Sequence, residues 1–244
     1  MSTSGDWPGP LAAAAEFAPD PGVVRRTAAL PRWPDVSGYG ALLTTARLAA
    51  VCPGMTFVRQ WPRPRRRPAI EDTGPGYNES ILAGRVPTRM HSWHDLFNGF
   101  IWAAMPAAKL AIHGRQHGFI AARPASSGPT ARSRVEDTLA MIDEGGLLLA
   151  VAPPQADSLA ARVEAGEQEF INDAIDAGEV RPVVFGHALL EHLGRGQPAR
   201  GFPVVVAVER LDDLGAIDDA LASLVPSVSE PGGRPGLRVR AWTR

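Results

Sequence analysis

The six histidines of the chain are the first residues whose spacing indicates chemistry, because they occur in three close pairs. The pairs are His91 with His94, His113 with His117, and His187 with His192. Imidazole rings bind transition metals and exchange protons near neutral pH, so they are common in catalytic sites. Random placement would seldom pair all six, and we therefore expect a functional site that includes at least one pair.

Carboxylates, amides and one ammonium group accompany these histidines along the sequence. They are Asp95, Asn98, Lys109, Gln116, Asp137, Asp143, Glu144 and Glu191. The apolar segment after Ser92 carries His94, Asp95 and Asn98 close together. A buried polar group without a partner costs on the order of 1–3 kcal/mol, so these side chains must either line a pocket or bridge neighbouring loops. Asp95 could instead cap its own helix, because it lies in the first turn after Ser92.

A second pattern is the four-residue spacing of His187 and Glu191, which places both side chains on one face of a helix. Such a pair can supply two ligands to one metal ion, or the carboxylate can orient the histidine. Four side chains are therefore candidate catalytic groups and candidate metal ligands: His94, Asp95, His187 and Glu191. Ligands of this kind suit a divalent Zn, Mn or Fe ion without deciding among them.

Basic and amide side chains in the same region could bind the anionic group of a small-molecule substrate, such as a carboxylate or a phosphate. The candidates are Arg89, Asn98 and Lys109. Lys109 is the only lysine beside 24 arginines. The ordinary interpretation of a lone lysine is a solvated helix face, but a compact ammonium can also do what a guanidinium cannot. In a single site, Arg89 or Lys109 should face the same cavity as the histidines.

Several standard motifs are absent from the sequence. It contains no His-Glu-x-x-His helix, no Cys-x-x-Cys pair, no EF-hand loop, no Walker loop, no Gly-x-Gly-x-x-Gly and no Gly-x-Ser-x-Gly. Their absence excludes a structural zinc finger and argues against the standard nucleotide-binding proteins and serine hydrolases.

The composition is that of an ordinary globular chain, with 244 residues, 45% of them hydrophobic and 21% charged, and a formal net charge of −1. These values exclude a disordered tail, a collagen-like repeat and a coiled coil, and the balanced charge argues against nucleic acid as a partner. The lone Cys52 excludes an internal disulfide framework and fits a reducing compartment. No apolar run approaches the roughly 20 residues of a membrane span, and no signal sequence is recognisable. We therefore expect a cytoplasmic protein without a membrane partner.

The elements that must position these residues alternate between helices and strands without the regular spacing of a doubly wound sheet. This pattern predicts an α+β or mixed α/β fold, in which helices flank a short mixed sheet. Strands are expected at 56–58, 147–151, 183–185, 204–208 and 237–242. Helices are expected at 39–51, 135–142, 159–177, 187–193 and 214–224.

A kinked pair of helices near residues 93–117 carries much of the candidate site. Ser92 is the predicted N-cap of the first helix, and Pro106 ends that helix and suits the start of a second. Residues 1–37 are rich in Ala, Pro and Gly, and we interpret them as an irregular lead-in packed on the domain. Because no linker divides the remainder, residues 38–244 are predicted to form a single globular domain with its motif core at 77–193.

The segment Arg59–Arg67 supports an alternative function. It contains five arginines interrupted by prolines, with Trp61 among them. Basic residues beside an aromatic ring can bind phosphates and stack on bases, as in a non-catalytic protein that holds nucleic acid or another acidic partner. A solvated loop is the simpler interpretation, because the chain has no second basic stripe.

Three blocks of sequence between Tyr77 and Leu193 resemble the motifs of a bacterial family, the domain-of-unknown-function family 3025. The blocks are Gly84-Arg85-Val86-Pro87-Thr88-Arg89 with Trp93-His94-Asp95-Leu96-Phe97-Asn98, Trp102, Pro106 and Lys109; Asp137 with Asp143-Glu144-Gly145; and Phe185-Gly186-His187-Ala188-Leu189-Leu190-Glu191. Asn78 after Tyr77 and the pair Gly99-Phe100 depart from the family's expected pattern. The resemblance implies no particular reaction. It does imply that the polar residues singled out above belong to the family's motifs.

These observations lead to the hypothesis of an enzyme with one pocket, built from the kinked helix pair, the Asp143-Glu144 turn and the later histidine helix. Metal-assisted hydrolysis of a small phosphoester or amide is the reaction that requires the fewest groups beyond these side chains. One site requires that His94 or Asp95 lies near His187 or Glu191, although the blocks are far apart in sequence. If they do not meet, the polar set is a structural network that fixes the fold. The sequence leaves the oligomeric state open.

Overall fold

The computed structural model describes residues 7–60, 76–123, 132–229 and 236–240. The helices in these ranges are α1 (Pro10–Phe17), α2 (Pro21–Ala28), α3 (Tyr39–Leu43), α4 (Ala46–Val51), α5 (Tyr77–Leu82), α6 (Trp93–Ala104), α7 (Pro106–Ala122), α8 (Arg134–Gly145), α9 (Ala156–Glu164), α10 (Gln168–Asp176), α11 (His187–Gly194) and α12 (Leu214–Leu224). The strands are β1 (Thr56–Arg59), β2 (Arg85–Thr88), β3 (Gly146–Val151), β4 (Val180–Val184), β5 (Arg200–Ala207) and β6 (Leu237–Arg238). Among the residues described, no helix has both the length and the apolar character that a bilayer span requires.

The centre of the fold is a mixed sheet of four strands in the order β4-β3-β5-β6. Strand β3 is parallel to β5 and antiparallel to β4, and β5 is antiparallel to β6. All six residues of β3 are buried, because α8 and the other strands cover it, and this explains its uninterrupted apolar sequence. A separate parallel pair joins β1 to β2. The predicted α+β fold with a short mixed sheet flanked by helices is confirmed.

The kinked helix pair is formed by α6 and α7. The hydroxyl of Ser92 accepts a hydrogen bond from the backbone N–H of Asp95 at 3.3 Å, as the N-cap prediction requires. The break falls at Met105, whose backbone leaves the helical region with a φ of −136°, and Pro106 then begins α7. Eleven of the twelve residues of α6 are buried, so its polar side chains must find partners inside the molecule.

The N-terminal segment corrects one expectation. Residues 1–37 were predicted to be irregular apart from a short helical turn near residues 12–17; α1 includes that turn, but α2 was not expected, and the two helices occupy most of residues 10–28. Pro10 and Pro21 stand at the first positions of these helices, where a missing N–H has no cost, and the Asp20 carboxylate caps α2 by accepting from Gly22 at 2.9 Å. The high proline content therefore marked helix starts and not an irregular chain. Helix α1 packs on α11.

Three further local differences have simple causes. The helix predicted at 39–51 is divided into α3 and α4, because the Thr45 hydroxyl caps α4 at the backbone N–H of Leu48. The helix predicted at 159–177 is divided into α9 and α10 around Gly166, which has a φ of 72°. Residues Arg85–Thr88, where no strand was expected, form β2 because they pair with β1. Of the basic segment Arg59–Arg67, all but the first two residues lie outside the described residues.

A buried carboxylate attaches α12 to the start of α7. Asp218 has a fully buried side chain and accepts from the backbone N–H groups of Ala107 at 3.1 Å and Ala108 at 2.8 Å. The guanidinium of Arg47 pairs with the same carboxylate at 2.9 Å and also contacts the exposed Asp219. Asp218 thus satisfies the free N–H groups at the beginning of α7, because the N-cap residue Met105 provides no side-chain cap.

We expect Asp218→Ala to lower the free energy of unfolding by about 3–5 kcal/mol, because the change leaves two helix N–H groups and a half-buried guanidinium without their acceptor. Urea denaturation followed by circular dichroism measures the loss. Asp219→Ala is the matched control, since it removes an exposed partner of the same arginine and should cost about 1 kcal/mol or less. Equal losses in the two variants would contradict this account.

Candidate metal centre

The structure brings His94 and His187 together across 93 residues of sequence, with their Nε2 atoms 3.0 Å apart. Oε2 of Glu144 lies 3.2 Å from Nε2 of His187 and 3.8 Å from Nε2 of His94. A point equidistant from these three atoms lies about 2 Å from each, which is close to the length of zinc–nitrogen and zinc–oxygen bonds. Within the described part of the chain, these three side chains are the group that could hold a metal ion.

The sheet register explains why Glu144 and His187 meet. Strands β3 and β4 are antiparallel with Leu147 opposite Val184, so the start of β3 lies beside the end of β4. Glu144 precedes β3 and His187 follows β4, and the pairing therefore places the two residues at the same edge. Gly186 allows a close approach there, since a Cβ on it would lie 2.5 Å from the carbonyl oxygen of Glu144.

One ring nitrogen of His187 forms a hydrogen bond with the backbone. Nδ1 lies 2.8 Å from the carbonyl oxygen of Asp143, and because a carbonyl can only accept, Nδ1 carries the proton. Burial, together with the nearby Lys109 ammonium, lowers the pKa of His187 to about 3. The ring is therefore neutral at physiological pH, and the lone pair on its Nε2 points towards His94 and Glu144. This is the form in which histidine binds a metal.

The environment of His94 is different. Its Nδ1 lies 3.7 Å from Oε2 of Glu191, a charge contact that raises the pKa of His94, and Glu144 adds to the effect. Burial opposes ionisation of Glu191, but His94 and the Arg195 guanidinium 3.0 Å away hold the pKa of Glu191 below its usual range. Burial raises the pKa of Glu144. Glu191 thus stands behind His94 as the group that orients it.

A buried ion pair lies behind the centre. Nζ of Lys109 is 2.6 Å from Oδ1 of Asp143, and the two side chains are 0% and 11% exposed. Although burial opposes ionisation of Asp143, the Lys109 ammonium holds the pKa of that carboxyl below its usual range. Lys109 therefore lies in the interior and not on a cavity surface. The ion pair and the hydrogen bond that the Asp143 carbonyl accepts from His187 together fix the turn that carries Glu144.

The remaining predicted residues occupy other places. The guanidinium of Arg89 makes two hydrogen bonds to the carboxylate of Asp95, at 2.6 and 3.0 Å, and the backbone N–H of Arg89 donates to it at 2.6 Å. Asp95 is thus held away from the three ligand atoms. Asn98 is buried and donates to the hydroxyl of Tyr77 at 3.2 Å. Arg89 does face the surface cavity of about 540 Å³ that His94 and Glu191 also line.

Glu144 is the side chain that sequence reasoning did not place among the ligands. The Asp143-Glu144 turn was expected to border the pocket, but Asp95 and Glu191 were named as the metal-binding carboxylates. A usable signal was present, since Glu144 stands at the end of a helix directly before Gly145-Gly146 and a buried strand. A carboxylate in that position must lie at a sheet edge, although the sequence does not show which strand will be its neighbour.

We expect Lys109→Met to lower the free energy of unfolding by about 3–5 kcal/mol, because it leaves the Asp143 carboxylate buried without a counter-charge. The double variant Lys109→Met/Asp143→Leu should recover part of the loss, since it removes both charges. Urea titrations of the metal-free protein measure both effects. A single variant within 1 kcal/mol of wild type would show that the pair does not stabilise the fold.

A second buried histidine gives a pH-dependent expectation. Nδ1 of His113 lies 3.0 Å from Oδ1 of Asn78, the ring stacks on Trp102, and burial lowers the pKa of His113 to about 4. Between pH 6.5 and 4 the unfolded chain binds a proton that the folded chain does not, so acid lowers stability by on the order of 3 kcal/mol through this residue. His113→Phe should flatten the pH dependence of unfolding by that amount. Parallel stability curves for the two proteins between pH 7 and 4 would contradict the expectation.

The comparisons with known proteins agree with the resemblance found in the sequence. A family model described as "Protein of unknown function (DUF3025)" matches residues 57–214, a stretch that includes His94, Glu144 and His187. No curated protein and no solved structure was found to match the chain. Since the family model covers more than half of the sequence, the chain belongs to the DUF3025 family.

Proposed function

We propose that the chain holds a divalent metal ion, preferably zinc, at His94, Glu144 and His187, and uses it to hydrolyse a small anionic phosphoester or amide. The observation that carries the proposal is the arrangement of two imidazole nitrogens and one carboxylate oxygen around a point about 2 Å from each. Two histidines and one carboxylate are a ligand set of catalytic zinc, in which a fourth position is left for water or substrate.

The protonation of the two histidines supports a cation between them. Since Nδ1 of His187 carries its proton, the Nε2 of this neutral ring has only a lone pair. Nε2 of His94 faces it at 3.0 Å, and Oε2 of Glu144 faces both. When the proton of His94 is on its Nδ1, towards Glu191, all three facing atoms carry lone pairs and repel one another. A proton on Nε2 of His94, or a metal ion, removes this repulsion. One proton can join only two of the atoms, whereas a metal ion binds all three.

The surrounding residues support hydrolysis of an anionic substrate. Zinc supplies Lewis-acid activation of water and of a carbonyl or phosphoryl oxygen. Arg89 lines the cavity beside His94, and Asp95 holds its guanidinium in one orientation, so it is a preorganised cation for the charged group of a substrate. In this proposal Asp95 orients Arg89 and Glu191 orients His94. Lys109 and Asn98 support the site from the interior and do not touch substrate.

Metal analysis is the first test. Protein purified without chelator or a histidine tag should contain about one zinc per chain, and His187→Ala and Glu144→Gln should each lose it. His192→Ala is the matched control, because His192 is on the same helix but exposed and should retain the metal. Wild-type protein without a stoichiometric transition metal would contradict the centre. Iron or manganese at full occupancy would keep the centre and reject zinc.

Activity is the second test. We expect the zinc-loaded protein to hydrolyse members of a panel of small anionic phosphoesters and amides, and His187→Ala to reduce the rate at least 100-fold. The metal-free variant should melt several degrees below the metal-free wild type, because it loses a buried ring and leaves the Asp143 carbonyl without its donor. Added zinc should raise the melting temperature of wild type only, since binding to the folded state stabilises it. Full zinc occupancy without turnover of any panel member would reject the hydrolase and leave the metal centre.

A further inference from the structure

A groove of about 660 Å³ adjoins the cavity beside the candidate centre. The groove and the cavity share Met90 and His91 as lining residues, so the two spaces lie side by side. The other walls of the groove come from residues 30–35 and from the start of α3. Its apolar lining is formed by Leu30, Pro31, Trp33, Pro34, Ala41 and Leu42. We call this surface the Trp33 groove.

The junction between groove and cavity has a constrained backbone. His91 has a φ of 53°, and among the described residues it is the one non-glycine residue with a positive φ. Left-handed backbone of this kind is strained, is kept only where neighbouring contacts hold it, and is concentrated at binding sites. Here the contact is with Trp33, whose ring meets the His91 ring edge-on at 5.8 Å. The His91 side chain is exposed at the point where the two spaces meet.

The floor of the Trp33 groove is joined to the metal centre through a cluster of aromatic rings. Trp33 packs edge-on against Trp93 with ring centroids 4.4 Å apart, and Trp7 stacks on Trp93 at 5.6 Å. Trp93 is the residue immediately before His94. Trp93 thus supports the groove floor, and the next residue, His94, is a candidate metal ligand. Because both lie in the first turn of α6, the distance between groove floor and ligand is fixed.

We propose that the Trp33 groove binds the apolar arm of the substrate whose polar head lies at the metal centre. The substrate class is then amphipathic, with an alkyl, acyl or aryl group attached to the phosphoester or amide that is hydrolysed. The volume of the groove lies within the range of about 300–1,000 Å³ that small-molecule sites occupy, and a mostly apolar lining with few polar groups is typical of such sites. This inference rests on the proposed function, because it places the head of the substrate at that centre.

A series of n-alkyl hydroxamates separates the head from the arm. The hydroxamate head binds zinc, and the chain is lengthened from acetohydroxamate to octanohydroxamate, with dissociation constants measured by calorimetry on zinc-loaded protein of known metal content. If the arm enters the groove, affinity should rise about threefold to fourfold for each added methylene until the groove is filled.

Two glycines at the start of α3 provide matched variants. A Cβ added at Gly38 or at Gly40 meets no atom within 4 Å, so both positions accept a side chain, but only Gly38 is among the groove-lining residues. Gly38→Gln should weaken octanohydroxamate binding at least tenfold and leave acetohydroxamate binding unchanged. Gly40→Gln should bind both compounds as wild type does.

The outcomes separate the two proposals. Affinity that does not rise with chain length, in protein that holds zinc and binds acetohydroxamate, overturns the groove and leaves the metal centre intact. The same chain-length gain in Gly38→Gln as in Gly40→Gln places the chain elsewhere and also overturns the groove. Protein that takes up no zinc and binds no hydroxamate overturns the metal centre, and the groove proposal falls with it.

Discussion

The ion pair between Lys109 and Asp143 is the interaction on which the arrangement of the candidate centre depends. It joins the first turn of α7 to the end of α8 inside the protein, where neither charge could be kept without the other. The backbone carbonyl of Asp143 accepts a hydrogen bond from Nδ1–H of His187, and this second contact leaves Nε2 as the free nitrogen of that ring. Asp143 thus contributes to the centre twice: its carboxylate holds the Glu144 turn through Lys109, and its carbonyl sets the tautomer of His187.

The candidate centre is formed by three segments that are far apart in the sequence. No interaction between neighbouring residues brings these segments together. His94 comes from the first turn of α6, whose start is fixed by the Ser92 cap. Glu144 and His187 flank the same end of the β3–β4 pairing, one next to each strand, and their proximity follows from the register of the two strands. The helix pair and the sheet therefore each contribute one side of the site. Neither part could form it alone.

Local patterns in the sequence predicted those features that are decided locally. Caps, prolines and apolar periodicity gave the α6–α7 pair and the main strands, and the pairing of histidines pointed to His94 and His187. Glu144 was missed as a ligand because its role is decided by strand register, which involves residues about 40 positions away. Lys109 was noticed for its rarity, but only its burial shows that it acts from the interior. Asp95 lies in the first turn of its helix as expected, yet its carboxylate is bound by Arg89.

The two ends of the antiparallel β3–β4 pairing differ in one respect: the candidate ligands lie at only one of them. At one end Leu147 lies opposite Val184, next to the ligands; at the other, Val151 lies opposite Val180, about 13 Å away along the strands. The chain leaves and rejoins the sheet at this second end through α9 and α10. The length and shape of the α9–α10 segment therefore do not affect the positions of the candidate ligands. A change of length in this segment, or a new chain terminus placed there, should leave the ligands where they are.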